Sequence, residues 1–326
     1  MQAKRLSTQV LFAIAFAACA VVQVQAQAGV MVYRGMCDAS AAVALDAQYF
    51  VVASDENNTL NIYKRGQPDA VARVPLAEFL GTGNKESDLE GAAMVGQRIY
   101  WIASHGRNKK GKERPDRYRF FATDIDARSS PPTVKAVAMP YRQLLVDLQA
   151  APTLKSLKLA EAASLAPDAP GGLNIEGLAA LPDGRLLIGF RNPIPGGKAL
   201  LVPLENPGDL LNGKPARFGK PILLGLRGRG IRSIEYVGTS FLIAAGPSAD
   251  AGTFSLYYWS GKPGAAPELA TGVDIGGLRP EALFEIPHTG SAQVISDDGG
   301  VEAGGVACKD RPVDQQAFRS VVIKLR

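Results

Sequence analysis

The chain has 326 residues, with 36 Lys and Arg against 31 Asp and Glu, which gives a formal net charge of +5 at pH 7. No run of basic residues is interleaved with aromatic residues, so the sequence lacks the pattern of a nucleic-acid binder, and we predict no nucleic-acid partner. The one basic cluster, residues 107–119, alternates with Glu113 and Asp116 and is interpreted as a solvated loop.

The first 28 residues have the pattern of a secretory signal peptide. Lys4 and Arg5 precede an apolar run over residues 10–22, and an A-x-A cleavage site follows at residues 26–28. The run is shorter than the about 20 apolar residues that a spanning helix needs. We therefore predict no membrane span and a mature chain that is periplasmic or secreted. A degenerate lipobox ending at Cys19 leaves a lipoprotein as the alternative.

Two cysteines, Cys37 and Cys308, lie beyond the predicted signal. An even pair in an exported chain predicts one disulfide bond. A reactive or metal-bound cysteine is the alternative, but no further ligand lies at short spacing from either residue. The disulfide would join the first repeat of the chain to the last.

A short phrase recurs along the chain, and each copy is followed after a turn by an apolar run. Three copies are clear and two are weaker; the equivalent positions are Ser40, Glu90, Glu176, Arg232 and Glu281. Periods of about 40 to 50 residues built from short strands are typical of β-propellers. The fullest unit, residues 177–226, contains four short apolar runs bounded by turn residues. We predict an all-β fold, a β-propeller with five blades of four strands.

The last repeat contains only three strand-like runs before the chain ends. The segment Gly29–Arg34 lies before the first repeat and also has the character of a strand. We predict that this N-terminal strand pairs as the outermost strand of the final blade. The pairing would close the ring and remove an exposed sheet edge.

The interval between Glu90 and Glu176 is longer than the others. Its segment over about 140–170 has leucines at helical steps, interrupted by Pro152. We predict a short helical insertion in a single propeller domain that covers residues 29–326. A sixth blade in this interval is the alternative, although the segment lacks the alternation and β-branched content of strands.

Polar residues follow the pattern of the repeats and should meet at one mouth of the central channel. Carboxylates are ligands suited to Ca²⁺, and the predicted metal ligands are Glu90, Glu176, Glu281, Asp297 and Asp55. Guanidinium, amide and imidazole groups suit a planar anion, and the predicted ligand-binding residues are Arg191, Asn192, Arg232, Arg279, His105 and Arg107. Two alternatives remain open: a ring of salt bridges without a ligand, and Glu-Gly pairs that serve only packing between blades.

Four phrases carry a resemblance to a known family: Asp88-Leu89-Glu90-Gly91, Asn174-Ile175-Glu176-Gly177, Arg279-Pro280-Glu281-Ala282 and Ser296-Asp297-Asp298-Gly299. Along nearly its whole mature length the chain resembles a bacterial family called domain of unknown function 3616, a name that carries no activity. More distantly, these phrases are similar to those of secreted propellers labelled esterase-like activity of phytase. That second resemblance implies metal-assisted hydrolysis of phosphoesters.

Two functional hypotheses follow from the sequence. The first is an exported, monomeric propeller that binds a small anionic ligand at its central mouth together with Ca²⁺. If it is an enzyme, it is a metal-dependent phosphoester hydrolase. The second is a non-catalytic binding or scaffold protein that uses the same face, or the inserted helix, to hold a partner in the cell envelope.

Overall fold

The computed structural model describes residues 29–249 and 252–326, so the predicted signal lies outside the described residues. Within them, five sheets of four antiparallel strands are present. The innermost strand of each sheet contacts that of the next sheet, and the last contacts the first. The fold is a five-bladed β-propeller, as predicted, and helices rather than a sixth blade occupy the long interval between the second and third blades.

The first strand in the chain, β1 (Met31–Arg34), belongs to the last blade. Blade 1 contains β2 (Ala39–Ala44), β3 (Tyr49–Ser54), β4 (Thr59–Lys64) and β5 (Ala70–Pro75). Blade 2 contains β6 (Leu89–Val95), β7 (Arg98–Ala103), β8 (Phe120–Asp126) and β9 (Thr133–Tyr141). Blade 3 contains β10 (Asn174–Ala180), β11 (Leu186–Asn192), β12 (Ala199–Leu204) and β13 (Ile222–Leu224).

Blade 4 contains β14 (Gly230–Val237), β15 (Ser240–Gly246), β16 (Ser255–Trp259) and β17 (Glu268–Leu269). Blade 5 begins with β18 (Pro280–Ile286) and β19 (Ser291–Ser296). A small hairpin of β20 (Glu302–Ala303) and β21 (Val306–Ala307) then precedes β22 (Ala317–Lys324), which pairs on one side with β19 and on the other with β1.

The two ends of the ring are joined by a strand and by a disulfide bond. Strand β1 pairs with β22, and Tyr33 lies opposite Phe318 in this pairing. The buried Tyr33 ring also contacts the rings of Phe50 and Tyr63 in blade 1. Cys37 and Cys308 form a disulfide between residues 271 positions apart in the sequence. Both sequence predictions about ring closure are confirmed.

In residues 29–249 and 252–326, four short α-helices lie between strands: α1 (Ala77–Leu80), α2 (Leu144–Ala150), α3 (Leu159–Ala162) and α4 (Pro207–Leu210). Helices α2 and α3, together with the 3₁₀ segment Pro152–Leu157, form the predicted insertion. Most of its leucines, among them Leu148 and Leu154, are buried in the core shared by blades 2 and 3, and Leu157 is partly buried there. In the part of the chain that the structure describes, no helix has the length and apolar character to span a bilayer.

Each innermost strand carries a β-bulge at the same place. The pairing of the first and second strands skips one residue in every blade, and these residues are Ser40, Glu90, Glu176, Arg232 and Glu281. A bulge leaves one residue outside the ladder and redirects its side chain. The bulges therefore explain why these five positions are equivalent in the sequence, and four of the five side chains, all except that of Ser40, line one end of the channel.

Candidate functional site

The starts of the innermost strands surround a cavity of about 320 Å³ at one end of the channel. Among the described residues, eight acidic side chains line it: Asp38, Asp55, Glu56, Asp88, Glu90, Glu176, Glu281 and Asp297. Six basic side chains from the same part of the chain line it as well: Lys109, Arg117, Arg191, Arg232, Arg279 and Lys309. We call this cavity the charged mouth. So many charges in a narrow space need partners or hydration, because an unpaired buried charge is costly.

On the side of blades 3 to 5, the charges of the charged mouth neutralise one another. The buried Arg232 forms ion pairs with Glu281 and with Glu176, whose Oε2 lies 3.0 Å from Arg232 Nε. Glu176 Oε1 accepts hydrogen bonds from Asn174 Nδ2 at 2.8 Å and from Arg191 Nη1 at 3.0 Å. Glu176 and Glu281, both predicted metal ligands, are therefore engaged by guanidinium groups.

On the side of blades 1 and 2, three carboxylates lie close together. Ligand atoms of Asp55, Asp88 and Glu90 all lie within 4.8 Å of one another. Arg117 forms an ion pair with Asp88, at 2.7 Å from Nη1 to Oδ2, and Ser104 Oγ donates a hydrogen bond to Asp88. We call Asp55, Asp88 and Glu90 the carboxylate cluster. It contains two predicted metal ligands and one residue that the prediction did not include.

Glu90 is the least compensated member of the carboxylate cluster. Its residue surface is only 7% exposed. Within residues 29–249 and 252–326, its carboxylate has neither a hydrogen bond nor an ion pair. Asp55 Oδ1 is likewise buried without a hydrogen-bond partner. Polar groups in such positions are rare in folded proteins unless a ligand, water or ion satisfies them.

Burial and mutual repulsion disfavour the ionisation of several carboxyl groups in the charged mouth. Burial, followed by the charges of Glu176 and Asp88, raises the pKa of Glu90 well above its usual range. Burial and the charges of Asp297 and Asp38 raise the pKa of Asp55 in the same way. Burial and Asp297 raise the pKa of Asp38 to about 7. Bringing a cation to this position would reverse these shifts.

The rim of the charged mouth carries a cation that is available to a ligand. The Arg279 side chain is exposed, and within the described part of the chain its guanidinium has no ion pair. Its charge lowers the pKa of Asp297, although burial raises that pKa overall. Lys309 differs because its Nζ lies 2.7 Å from Glu56 Oε1. Arg279 is thus placed to contact an anion that enters the charged mouth.

Three of the predicted ligand-binding residues lie outside the cavity lining and have structural contacts. His105 is buried, its Nδ1 lies 2.8 Å from Ala103 O, and burial lowers its pKa to about 4. Arg107 Nε donates to Ala163 O at 2.8 Å. Asn192 Nδ2 donates to Pro167 O at 2.9 Å and to Ala169 O at 2.7 Å. Arg107 and Asn192 therefore hold the segment that follows the helical insertion.

Asp297 and its neighbour Asp298 have different surroundings. Asp298 forms a two-pronged pair with Arg319, at 2.9 Å to Nε and 2.8 Å to Nη2, and is buried within blade 5. Asp297 Oδ1 accepts a hydrogen bond from the Gly299 N–H at 2.8 Å, and the residue lines the charged mouth. Asp297 therefore contributes negative charge to the charged mouth, whereas Asp298 stabilises the blade.

Asp88 is the member of the carboxylate cluster that the sequence-based list of metal ligands lacks. It has a positive φ of 57° and immediately precedes β6. The available signal was its spacing of two residues from Glu90, which brings two carboxylates to the start of the same strand. The bulge at Glu90 brings the two side chains together and could not be read from the sequence.

The chain belongs to the family described as protein of unknown function (DUF3616), whose model matches residues 38–124 and 142–307. A comparison with curated proteins found no match. Among solved structures, the glutaminyl cyclase of Myxococcus xanthus is similar over 91% of this chain and 96% of its own, with 13% identity and a TM-score of 0.47.

The PQQ-bound aldose sugar dehydrogenase of Streptomyces coelicolor is also similar, over 91% of this chain and 99% of its own, with 12% identity and a TM-score of 0.43. Likeness at these values carries no argument about activity. The function must therefore be argued from the charged mouth itself.

Proposed function

We propose that this protein binds a divalent cation, most simply Ca²⁺, at the carboxylate cluster and holds a small anionic ligand against it. The observation that carries the proposal is the buried Glu90 carboxylate, which has no partner among the described residues and lies beside Asp55 and Asp88. Carboxylate oxygens are the donors that Ca²⁺ prefers. Asp55, Asp88 and Glu90 would hold the ion, and the ion would offset the charges that raise their pKa values.

The anion would lie between the bound cation and the rim. Arg279 is the exposed guanidinium there, and guanidinium groups bind phosphate or carboxylate through paired hydrogen bonds. Metal-assisted hydrolysis of a phosphate monoester is the catalytic form of this proposal, in which a bound cation supplies charge stabilisation to the phosphoryl oxygens. The disulfide fits a site of action in an oxidising compartment outside the cytoplasm.

Calorimetric titration of the chelator-treated protein with Ca²⁺ tests the proposal. We expect the wild type to bind one ion, and we expect Glu90→Gln to weaken binding at least about tenfold, because it removes a charged ligand without changing shape. Glu302→Gln, at an exposed carboxylate in β20, is the matched control and should bind like the wild type. Absence of Ca²⁺ binding by the wild type, or equal binding by Glu90→Gln, would refute the cation site.

A second experiment separates binding from catalysis. Phenyl phosphate should bind more tightly when Ca²⁺ is present, and Arg279→Met should reduce that affinity by about tenfold. Release of inorganic phosphate that requires Ca²⁺ and disappears in Glu90→Gln would identify a phosphoesterase. Binding without turnover would instead identify a ligand-binding protein, the alternative that the sequence left open.

A further inference from the structure

The channel has a second opening, formed by the ends of the innermost strands. A cavity of about 490 Å³ lies at this end. Its lining is mostly apolar, with contributions from Val43, Met94, Val95, Leu181 and Pro182. We call this cavity the apolar mouth. Its volume falls in the range of about 300–1,000 Å³ that is typical of small-molecule sites.

Two carboxyl groups line the apolar mouth without a basic partner. Glu235 belongs to β14 and Glu285 to β18. Glu285 Oε2 accepts a hydrogen bond from the Gly238 N–H at 3.1 Å. The Glu235 carboxyl has no hydrogen bond or ion pair to any residue that the structure describes. Two further titratable side chains line the cavity: Tyr236 in β14, and His288, which is exposed in the turn after β18.

The protonation of this pair limits which ligand it can take. Burial, followed by the charge of Glu285, raises the pKa of Glu235 to about 8. At neutral pH Glu235 therefore keeps its proton. A pair of carboxyl groups in which one keeps its proton matches a single monovalent cation better than a divalent one.

We propose that the apolar mouth binds a small organic ammonium ion whose apolar body fills the cavity and whose N–H groups donate to Glu235 and Glu285. An ammonium group has up to three N–H donors and no acceptor, so it complements two carboxyl groups. Contact between the apolar lining and the hydrocarbon body would remove apolar surface from water, which favours binding. An anion is disfavoured, because no Lys or Arg among the described residues lines this cavity. The site lies at the end of the channel opposite the carboxylate cluster and does not depend on it.

Calorimetric titration with cyclohexylammonium chloride tests this site. We expect the wild type to bind this ion at least about tenfold more tightly than cyclohexanol, which has a similar body and no charge. Cyclohexanecarboxylate should not bind. Glu235→Gln and Glu285→Gln should each weaken the binding of cyclohexylammonium about tenfold or more, while Glu302→Gln should not change it. The comparison with cyclohexanol uses wild-type protein, so it remains valid if one variant fails to fold.

Three results would overturn the proposal. The first is equal affinity for cyclohexylammonium and cyclohexanol, which would show that charge plays no role. The second is unchanged affinity in both folded variants, Glu235→Gln and Glu285→Gln. The third is loss of binding in Glu90→Gln with retention in the other two, which would place the amine at the charged mouth. Because the Ca²⁺ titration uses a different ion and a different carboxylate, failure of either proposal leaves the other standing.

Discussion

Arg232 is the buried counter-ion of two carboxylates, and its removal should be costly. Its side chain is 6% exposed and forms ion pairs with Glu176 and Glu281. In Arg232→Met, Glu281 would lose its ion pair and Glu176 would keep only its ion pair with Arg191. Removing one partner of a buried pair typically costs about 3–5 kcal/mol. We expect a loss of that size in the free energy of unfolding, measured by urea denaturation at pH 7.

Arg279→Met is the matched control for this residue. Arg279 lines the same mouth but is exposed, so its replacement should change the free energy of unfolding by no more than about 0.5 kcal/mol. If the two variants were equally stable, the ion pairs of Arg232 would not contribute to the stability of the ring.

At the scale of single residues, the sequence predicted where the acidic side chains lie better than it predicted which of them form ion pairs. The repeat placed Glu90, Glu176 and Glu281 at equivalent sites, and the bulges confirm that equivalence. It could not show that Arg232 forms ion pairs with Glu176 and Glu281, whereas Glu90 has no ion pair among the described residues. That outcome depends on the angles between neighbouring blades, which no single repeat encodes.

At the scale of elements, strand β1 stabilises the ring through Tyr33. This ring is 2% exposed and packs against Phe50 and Phe318, so it links blade 1 to blade 5. Truncation of a buried aromatic side chain to alanine typically costs about 3–5 kcal/mol. We expect Tyr33→Ala to lower the free energy of unfolding by that amount. In the adjacent control, Val32→Ala, the residue is 46% exposed and the change should be about 0.5 kcal/mol or less.

If Tyr33→Ala and Val32→Ala lowered the free energy of unfolding equally, β1 would only cover the edge of the sheet and its tyrosine ring would not stabilise the ring of blades.

The pairing of β1 was predictable from the missing fourth strand of the last repeat. Its aromatic anchor was not, because Tyr33, Phe50 and Phe318 are distant in the sequence and meet only after the ring has closed. The helical insertion was predictable for a local reason, since leucine spacing is visible within a single segment.

At the scale of the whole molecule, β1 and the disulfide close the same seam, so their contributions should be coupled. Cys37 and Cys308 are 271 residues apart in the sequence. Removing their disulfide should lower the free energy of unfolding by about 2–5 kcal/mol, because the unfolded chain regains conformational freedom. We expect the double variant Cys37→Ser, Cys308→Ser to show this loss in urea denaturation. In this cysteine-free variant Tyr33→Ala should lower the free energy of unfolding by less than it does in the wild type, because the contact between blades 1 and 5 is already weakened.

The size of that coupling is the measurable quantity. Residues that stabilise one contact region typically show interaction energies of about 0.5–3 kcal/mol, whereas independent sites add within about 0.5 kcal/mol. Val32→Ala in the same cysteine-free background provides the additive reference. Simple additivity of Tyr33→Ala with loss of the disulfide would mean that strand and disulfide secure separate parts of the molecule. If the combined loss in the free energy of unfolding were clearly smaller than the sum of the separate losses, strand β1 and the disulfide would form one cooperative joint that holds blade 1 against blade 5.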